Sequence, residues 1–310
     1  MNIFISTYSN KKSIYKCKVN RKGKISILKY IEMNAYPSYL YRKNFRIGIA
    51  LKKDENNDEA GIAICNKNLK YLYKYDNKNS YTHIFIDNKH IIAGSYHNGN
   101  ILIINKKDIK RNIVIKYKNS KIHNVGKIKK NLYYAIDTEN SIIYFYTIND
   151  TKYALKATFN LREGDRPRHL IAYRNHIYVL CEGISKIINI EYKNNNFVKQ
   201  QEITTLNNNN NISNMPSAIR RFKKYIFISN RGENTINIYK INGNGKLEKI
   251  TYFDVKGKIP RDFNIVNNGK HIVVGNEDTN EVVIFKINYK KEEVTYVSKI
   301  KIERPVCIEK

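Results

Sequence analysis

Three observations in the 310-residue sequence predict an all-β fold, a seven-bladed β-propeller with four antiparallel strands in each blade. Apolar and polar residues alternate with period two, and the apolar positions are rich in Ile, Val, Tyr and Phe, which reads as half-buried strand. The alternating segments come in units that begin at positions 3, 45, 90, 131, 176, 225 and 271, steps of 41 to 49 residues. No segment keeps a 3.6-residue period long enough for a helical solenoid, and a step in the forties that holds about four strands is the spacing of propeller blades.

Each unit contains two strands and the turn between them, as in HIIAGSYHNGNILIIN from His90, YIFISNRGENTINIYKIN from Tyr225 and HIVVGNEDTNEVVIFKIN from His271. These are the second and third strands of a blade, B and C. The outer strand D follows, as in GKLEKITYFDV, and the innermost strand A precedes. The five prolines mark strand A: Pro37, Pro167, Pro216 and Pro260 stand 8 to 11 residues before a repeat start, and Pro305 lies where an eighth unit would begin. Proline is tolerated at the first residue of a strand, where no ladder hydrogen bond is lost. The sequence therefore opens at strand B of the first blade and closes with RPVCIEK, a strand A. The expectation is one domain over residues 1–310, with the C-terminal strand joining the N-terminal blade and closing the ring, which removes two open sheet edges.

The formal charge is +29, but the lysines are spread along the whole chain and no helix-turn-helix, zinc-finger, RRM or KH pattern accompanies them. No specific nucleic-acid partner is expected. No run of about 18 apolar residues predicts a membrane span. The start, MNIFISTYSNKK, lacks a secretory pattern, so the expected location is the cytoplasm. Cys17, Cys65, Cys181 and Cys307 are scattered in or beside apolar runs without metal-type spacing and read as reduced, partly buried thiols. The acidic turns at 54–59 and 277–278 lack calcium-ligand spacing and read as solvated. GxSxG, P-loop, GxGxxG and HExxH motifs are absent, so neither a metal nor another cofactor is expected, and any catalysis is acid–base and electrostatic.

In an up-and-down blade the D-to-A connection and the B-to-C turn lie at the same end of the strands. The aligned entry positions of strand A are Tyr39, His83, His123, His169, Ala218, Asp262 and Cys307, with Arg168 and Arg261 one residue earlier. Glu182, Arg231 and His97 fall in B–C turns. Guanidinium groups give bidentate contacts to phosphate or carboxylate, while His and Glu transfer protons, so the set suits a small anionic ligand. His123, Glu182, Arg168 and Arg231 are the candidate catalytic residues; His83, His169, Arg261, Asp262 and His97 are candidates for substrate binding. A structural alternative stands beside several of them: an Arg or Glu in such a turn can pair with the next blade, His83 can hold a loop carbonyl, and His97 can be a turn residue. His90, His176 and His271 begin strand B at the opposite end and read as structural.

The stretches AYPSYL, GSYHNGNILII, RPRHL, VLCEG, SNRGENTINIYKI, KIPRDFNIVNNGKHIVVGNEDTNEVVIFKI and RPVCI, in that order, resemble the propeller-type 6-phosphogluconolactonases of the seven-bladed lactonase family. The resemblance spans nearly the whole chain. It implies hydrolysis of the anionic sugar lactone 6-phosphoglucono-1,5-lactone to 6-phosphogluconate, in the oxidative pentose phosphate pathway. A fungal relative that cycloisomerises carboxymuconate implies a His, Arg, Glu, Arg set at His123, Arg168, Glu182 and Arg231. The sequence departs from the pattern where KIHNV keeps one histidine, where Tyr81 replaces the usual Pro, and where Cys181 replaces the usual Asn before Glu182. The rival readings are a cycloisomerase or lactonase acting on an aromatic-catabolism acid, and a non-enzymatic propeller that binds or scaffolds. Oligomeric state is left open.

Overall fold

The structure, a computed structural model, describes residues 1–9, 11, 13–53, 59–75, 78–150, 152–194, 196–207 and 212–310. The acidic turn at 54–58 lies outside them. In chain order the strands are β1 (Asn2–Thr7), β2 (Ile14–Val19), β3 (Ile25–Ile31), β4 (Tyr36–Lys43), β5 (Arg46–Lys52), β6 (Gly61–Asn66) and β7 (Tyr71–Tyr75). Then come β8 (His83–Ile86), β9 (His90–Ser95), β10 (Asn100–Asn105), β11 (Asn112–Lys116), β12 (Ile122–Lys129), β13 (Leu132–Asp137), β14 (Ile142–Asn149) and β15 (Lys152–Asn160). They are followed by β16 (Pro167–Tyr173), β17 (His176–Cys181), β18 (Lys186–Lys193), β19 (Asn196–Thr204), β20 (Met215–Phe222), β21 (Tyr225–Arg231), β22 (Thr235–Ile241) and β23 (Leu247–Asp254). The last are β24 (Pro260–Val266), β25 (His271–Asn276), β26 (Glu281–Asn288), β27 (Glu293–Lys301) and β28 (Pro305–Glu309). No helix occurs among the described residues.

These strands form seven sheets of four antiparallel strands, the blades expected from the repeats. In six of them the strands follow chain order. The remaining sheet runs β28-β1-β2-β3, so the C-terminal strand supplies the inner strand of the N-terminal blade. Ile5 pairs with Ile308 and Phe4 with Glu309 in that join. Pro167, Pro260 and Pro305 are the first residues of their strands, and Pro37 and Pro216 the second, as the loss of one donor requires.

The chain divides into two compact units. One holds Met1–Thr7, Tyr15–Tyr30 and His169–Lys310; the other holds Tyr8–Ile14 and Ile31–Arg168. In the first, Phe227, Ile236 and Ile238 of one blade pack against Phe263, Ile272 and Val283 of the next, all essentially free of solvent. A second cluster brings Ile3, Ile5 and Ile308 against Val273 and Ile284. In the other unit, Ile92, Ile101 and Ile103 pack on Tyr133, Ala135 and Tyr146. Each fully buried Ile, Val or Phe among them is worth roughly 1.5–3 kcal/mol, so packing between blades contributes heavily to the stability. The outer strands are exposed instead, with the pattern ieeeeei in β3 and two lysines each in β15 and β27, which blunt the sheet edges against pairing.

All four cysteines are free and buried, and burial pushes the Cys17 and Cys65 thiols up to about 12. The three strand-B histidines each meet a polar partner. His90 Nε2 meets the Asp150 carbonyl at 2.7 Å, and His176 Nδ1 meets Asn189 Oδ1 at 3.1 Å. His271 Nδ1 meets the Asn267 side chain at 3.1 Å. Gly245, at φ +80°, lies so close to the His176 ring that a Cβ there would come within 2.1 Å of Nε2.

Candidate active site

The candidate residues lie where strand A begins and strand B ends, and antiparallel pairing puts these two places side by side in each sheet. Met215 pairs with Arg231, Pro260 with Asn276, and Ile122 with Asp137. Polar side chains at the end of strand B then tie down the loop that enters strand A. Ser95 Oγ donates to the Ser80 carbonyl at 2.6 Å, and the Lys121 N–H donates to Asp137 Oδ1 at 3.0 Å. Asn230 Nδ2 donates to the Thr205 carbonyl at 2.7 Å, and Asn276 Nδ2 to the Val255 carbonyl at 3.1 Å. In the blade of Glu182 the same place is taken by the buried Cys181.

A β-bulge sits at the entry of strand A. Pro37 and Tyr39 face Leu51 and Ala50; Pro260 and Asp262 face Asn276 and Gly275; Pro305 and Cys307 face Thr7 and Ser6. One extra residue is inserted each time: Ser38, Arg261 and Val306. In β12 the residues flanking the bulge are Ile122 and Asn124, so His123 is the inserted residue. This corrects the alignment of entry positions. His123 stands in register with Arg261, and with Arg168 by the shared order of Pro167–Arg168–His169 and Pro260–Arg261–Asp262; Asn124 takes the place beside His83 and His169. Alternation counts residues, and a bulge adds one without disturbing the pattern on either side.

Backbone strain marks the same loops. Arg166, Ile259 and Arg304 each precede a strand-A proline and adopt φ +49°, +56° and +38°. A β-branched residue in the left-handed region costs on the order of 1–3 kcal/mol. Ile259 is held there by its N–H donating to Asn234 Oδ1 at 2.9 Å and its carbonyl accepting from the Glu277 N–H at 2.9 Å.

In the first unit, carboxylates and guanidinium groups pair. Arg231 Nη2 donates to Glu182 Oε2 at 3.0 Å, linking the last residue of β21 to the turn after β17 in the neighbouring blade, while Arg231 Nε donates to the Met215 carbonyl at 3.0 Å. Glu182 is only 7% exposed. Arg261 Nη1 donates to Glu277 Oε2 at 2.8 Å, and Arg304 reaches the other oxygen of Glu277 at 3.4 Å. Asp262 accepts from Arg220 Nη2 at 2.6 Å and from the Ile308 N–H at 2.9 Å. Arg261 and Asp262 thus hold neighbouring segments in place. His169 is buried as the third residue of β16.

In the second unit the candidates keep different company. His123 and His97 both meet the Tyr96 ring edge-on, with centroids 5.8 and 5.6 Å away. Arg166 Nη2 donates to Tyr96 Oη at 3.3 Å, and Lys121 Nζ lies 5.5 Å from the ring centre. Glu139 is the carboxylate of this cluster, 2.8 Å from Lys121 and 3.7 Å from Arg166. Partial burial, then the charges of Lys52 and Lys121, lower the pKa of His97 below its ordinary value. His83 lies over Tyr39 with ring centres 3.9 Å apart, and Arg168 is buried as the second residue of β16.

Tyr96, Lys52, Lys121 and Arg166 were not singled out from the sequence. Their one prior signal is that Tyr96 precedes His97 in the B–C turn and Arg166 precedes the strand-A proline. No group of three or more His, Cys, Asp or Glu residues able to hold a metal ion occurs among the described residues, and no helix there is long and apolar enough to cross a membrane.

Known proteins bear on this geometry. The chain is 24% identical over 182 residues to the 6-phosphogluconolactonase of Bacillus subtilis, covering 56% of this chain and 52% of that protein. A Staphylococcus saprophyticus protein of uncharacterised function is 25% identical over 166 residues. The chain thus spans about half the length of the curated relatives it matches. Among solved structures, a protein from Lactobacillus plantarum superposes with a TM-score of 0.91 at 20% identity, over 100% of this chain and 99% of the other. The periplasmic gluconolactonase of Pseudomonas aeruginosa superposes with a TM-score of 0.90 at 14% identity, over 99% and 98% of the two chains. These likenesses show the fold. The family model described as lactonase, 7-bladed beta-propeller, matches residues 2–310, and the chain belongs to that family.

Proposed function

We propose that this protein is a lactone hydrolase that opens 6-phosphoglucono-1,5-lactone to 6-phosphogluconate. The observation that carries the reading is the Glu182–Arg231 pair, 3.0 Å apart and largely dehydrated, in a chain of the lactonase family. Hydrolysis forms a bond from a water oxygen to the lactone carbonyl carbon and breaks the ring C–O bond. The water proton needs a base, and the tetrahedral oxyanion needs positive charge. Glu182 is assigned the base that takes the water proton and returns it to the ring oxygen as that C–O bond breaks, while Arg231 orients it and stabilises the oxyanion. A lactone also opens spontaneously and asks little of a base. Arg168 and His123 are proposed on residue chemistry alone, Arg168 as holder of an anionic group and His123 as the alternative base. His169 and His83 are proposed as substrate contacts, Arg261 and Asp262 as supports of the entry loop.

The test is an assay on freshly generated lactone, with 6-phosphogluconate formation followed through its dehydrogenase, with and without a chelator. Turnover is expected well above the spontaneous rate and unchanged by the chelator. Arg231→Gln and Glu182→Gln are each expected to lower kcat/KM by about 10²–10³-fold in a folded protein. His123→Gln and Arg168→Ala report on the other two residues separately. A wild-type rate equal to the spontaneous one would sink the reading, and a fully active Arg231→Gln variant would remove this pair from it.

A further inference from the structure

Blades β8–β11 and β12–β15 and the end of β4, all in the second unit, carry a separate feature at the strand ends away from His83 and His123. It is a cleft of about 690 Å³, walled by Phe85 and Tyr133 and lined by Lys43, Lys89, Lys127 and Lys156. That volume is the size of a small-molecule site rather than of a surface dimple.

The floor is a fixed hydrogen-bond network built on Asp87. Its carboxylate accepts from Tyr133 Oη at 2.6 Å, Lys127 Nζ at 3.0 Å, and the N–H groups of His90 and Lys89 at 2.7 and 2.8 Å. Burial alone would raise this carboxyl, but the four hydrogen bonds together hold it at about 2. Asp87 is therefore an anion already matched, by Lys127. The other carboxylate of the wall, Asp150, is engaged by Arg111.

What remains is unbalanced. The ammonium groups of Lys43, Lys89 and Lys156 enter no ion pair among the described residues. Lys106 sits beside them with its ammonium donating to the Asp87 carbonyl at 2.8 Å, and burial, then Arg46 and Lys43, lower its pKa. Long lysines on a surface normally spread apart into water. Here Lys43, Lys89 and Lys156 all line one hollow, and an anion that fills it meets the charge of all three. The wall offers ammonium point charges and no arginine fork. That favours the tetrahedral oxygens of phosphate over the planar bidentate match to a carboxylate.

We propose that this cleft binds a small anion carrying two or more phosphate charges, held by Lys43, Lys89 and Lys156 above the Asp87–Lys127–Tyr133 floor. The site is distinct from the candidate active site and does not rest on lactone hydrolysis. The probe is inorganic pyrophosphate, titrated calorimetrically into the full chain at about 150 mM salt, where exposed charges are largely screened. One equivalent is expected to bind. The triple variant Lys43→Gln, Lys89→Gln, Lys156→Gln is expected to bind at least about tenfold more weakly, a change of about 1.4 kcal/mol. A control with the same charge loss at exposed Lys246, Lys290 and Lys301 is expected to stay within about twofold of wild type. Absence of binding, several equivalents bound, or equal weakening in both triple variants overturns the proposal.

Discussion

The two clusters of candidate residues handle charge in opposite ways. In the first unit Glu182, Glu277 and Asp262 each face a guanidinium group, so charge is matched within the protein and held in buried, directional contacts. In the second, Lys121 and Arg166 reach Tyr96, Lys52 and Lys121 act on His97, and Glu139, the carboxylate beside Lys121 and Arg166, is 40% exposed. A matched, dehydrated pair fixes geometry and supplies a preorganised polar group. An excess of cations around imidazoles draws anions but leaves geometry loose. One cluster is built for position and the other for attraction, although both arise from the same two places in the blade repeat.

The largest expected effect is on the matched cluster. Its support includes β28 and the residue before it: the Ile308 N–H holds Asp262, and Arg304 holds Glu277. Deleting residues 303–310 also strips β1 of its partner strand and opens the core around Ile5 and Val273. We expect loss of cooperative folding, or melting lowered by tens of degrees, in a thermal unfolding scan. A truncated chain that melts as the full chain does would contradict the assignment of β28 as the inner strand.

A smaller effect separates the clusters directly. Arg231→Ala leaves Glu182 buried without this guanidinium, and breaking a buried pair costs about 3 kcal/mol. Arg166→Ala touches a half-exposed pair with Glu139 and is expected to cost less than about 1 kcal/mol. Urea unfolding of the two variants measures the difference. Equal costs would mean that the two clusters do not differ as their burial implies.

Much of this was legible in the sequence, and the limits have physical causes. The blade count, the strand-A prolines and the C-terminal closure follow from period-two alternation and from what proline forbids. Glu182 and Arg231 could be placed in B–C turns, but not in contact, because a contact between blades depends on sheet packing. His123 was set one position off by a bulge that alternation cannot register. Asp262 read as a ligand group, whereas its two oxygens meet Arg220 and the Ile308 N–H, partners 42 and 46 residues away in the chain. Lys52, Lys121 and the lysines of the cleft were hidden by number: in a chain with 56 Lys and Arg, no single one stands out until the fold gathers it.

The smallest effect sharpens the account of the cation-rich cluster. His97 is exposed on its turn, yet partial burial followed by Lys52 and Lys121 lowers its pKa. The folded chain therefore binds a proton at His97 less readily than the unfolded chain does. Between the lowered pKa and the ordinary value of 6.5, acidification weakens the folded state. Removing a nearby cation should raise the pKa, more for Lys52→Gln than for Lys121→Gln, because Lys52 is the stronger of the two influences. Neither substitution restores the ordinary value, since burial persists. The imidazole proton shift of His97 followed by NMR against pH reports each value directly. A pKa that stays fixed in both variants would show that these lysines place no field on the turn, and the contrast with the matched cluster would lose its electrostatic basis.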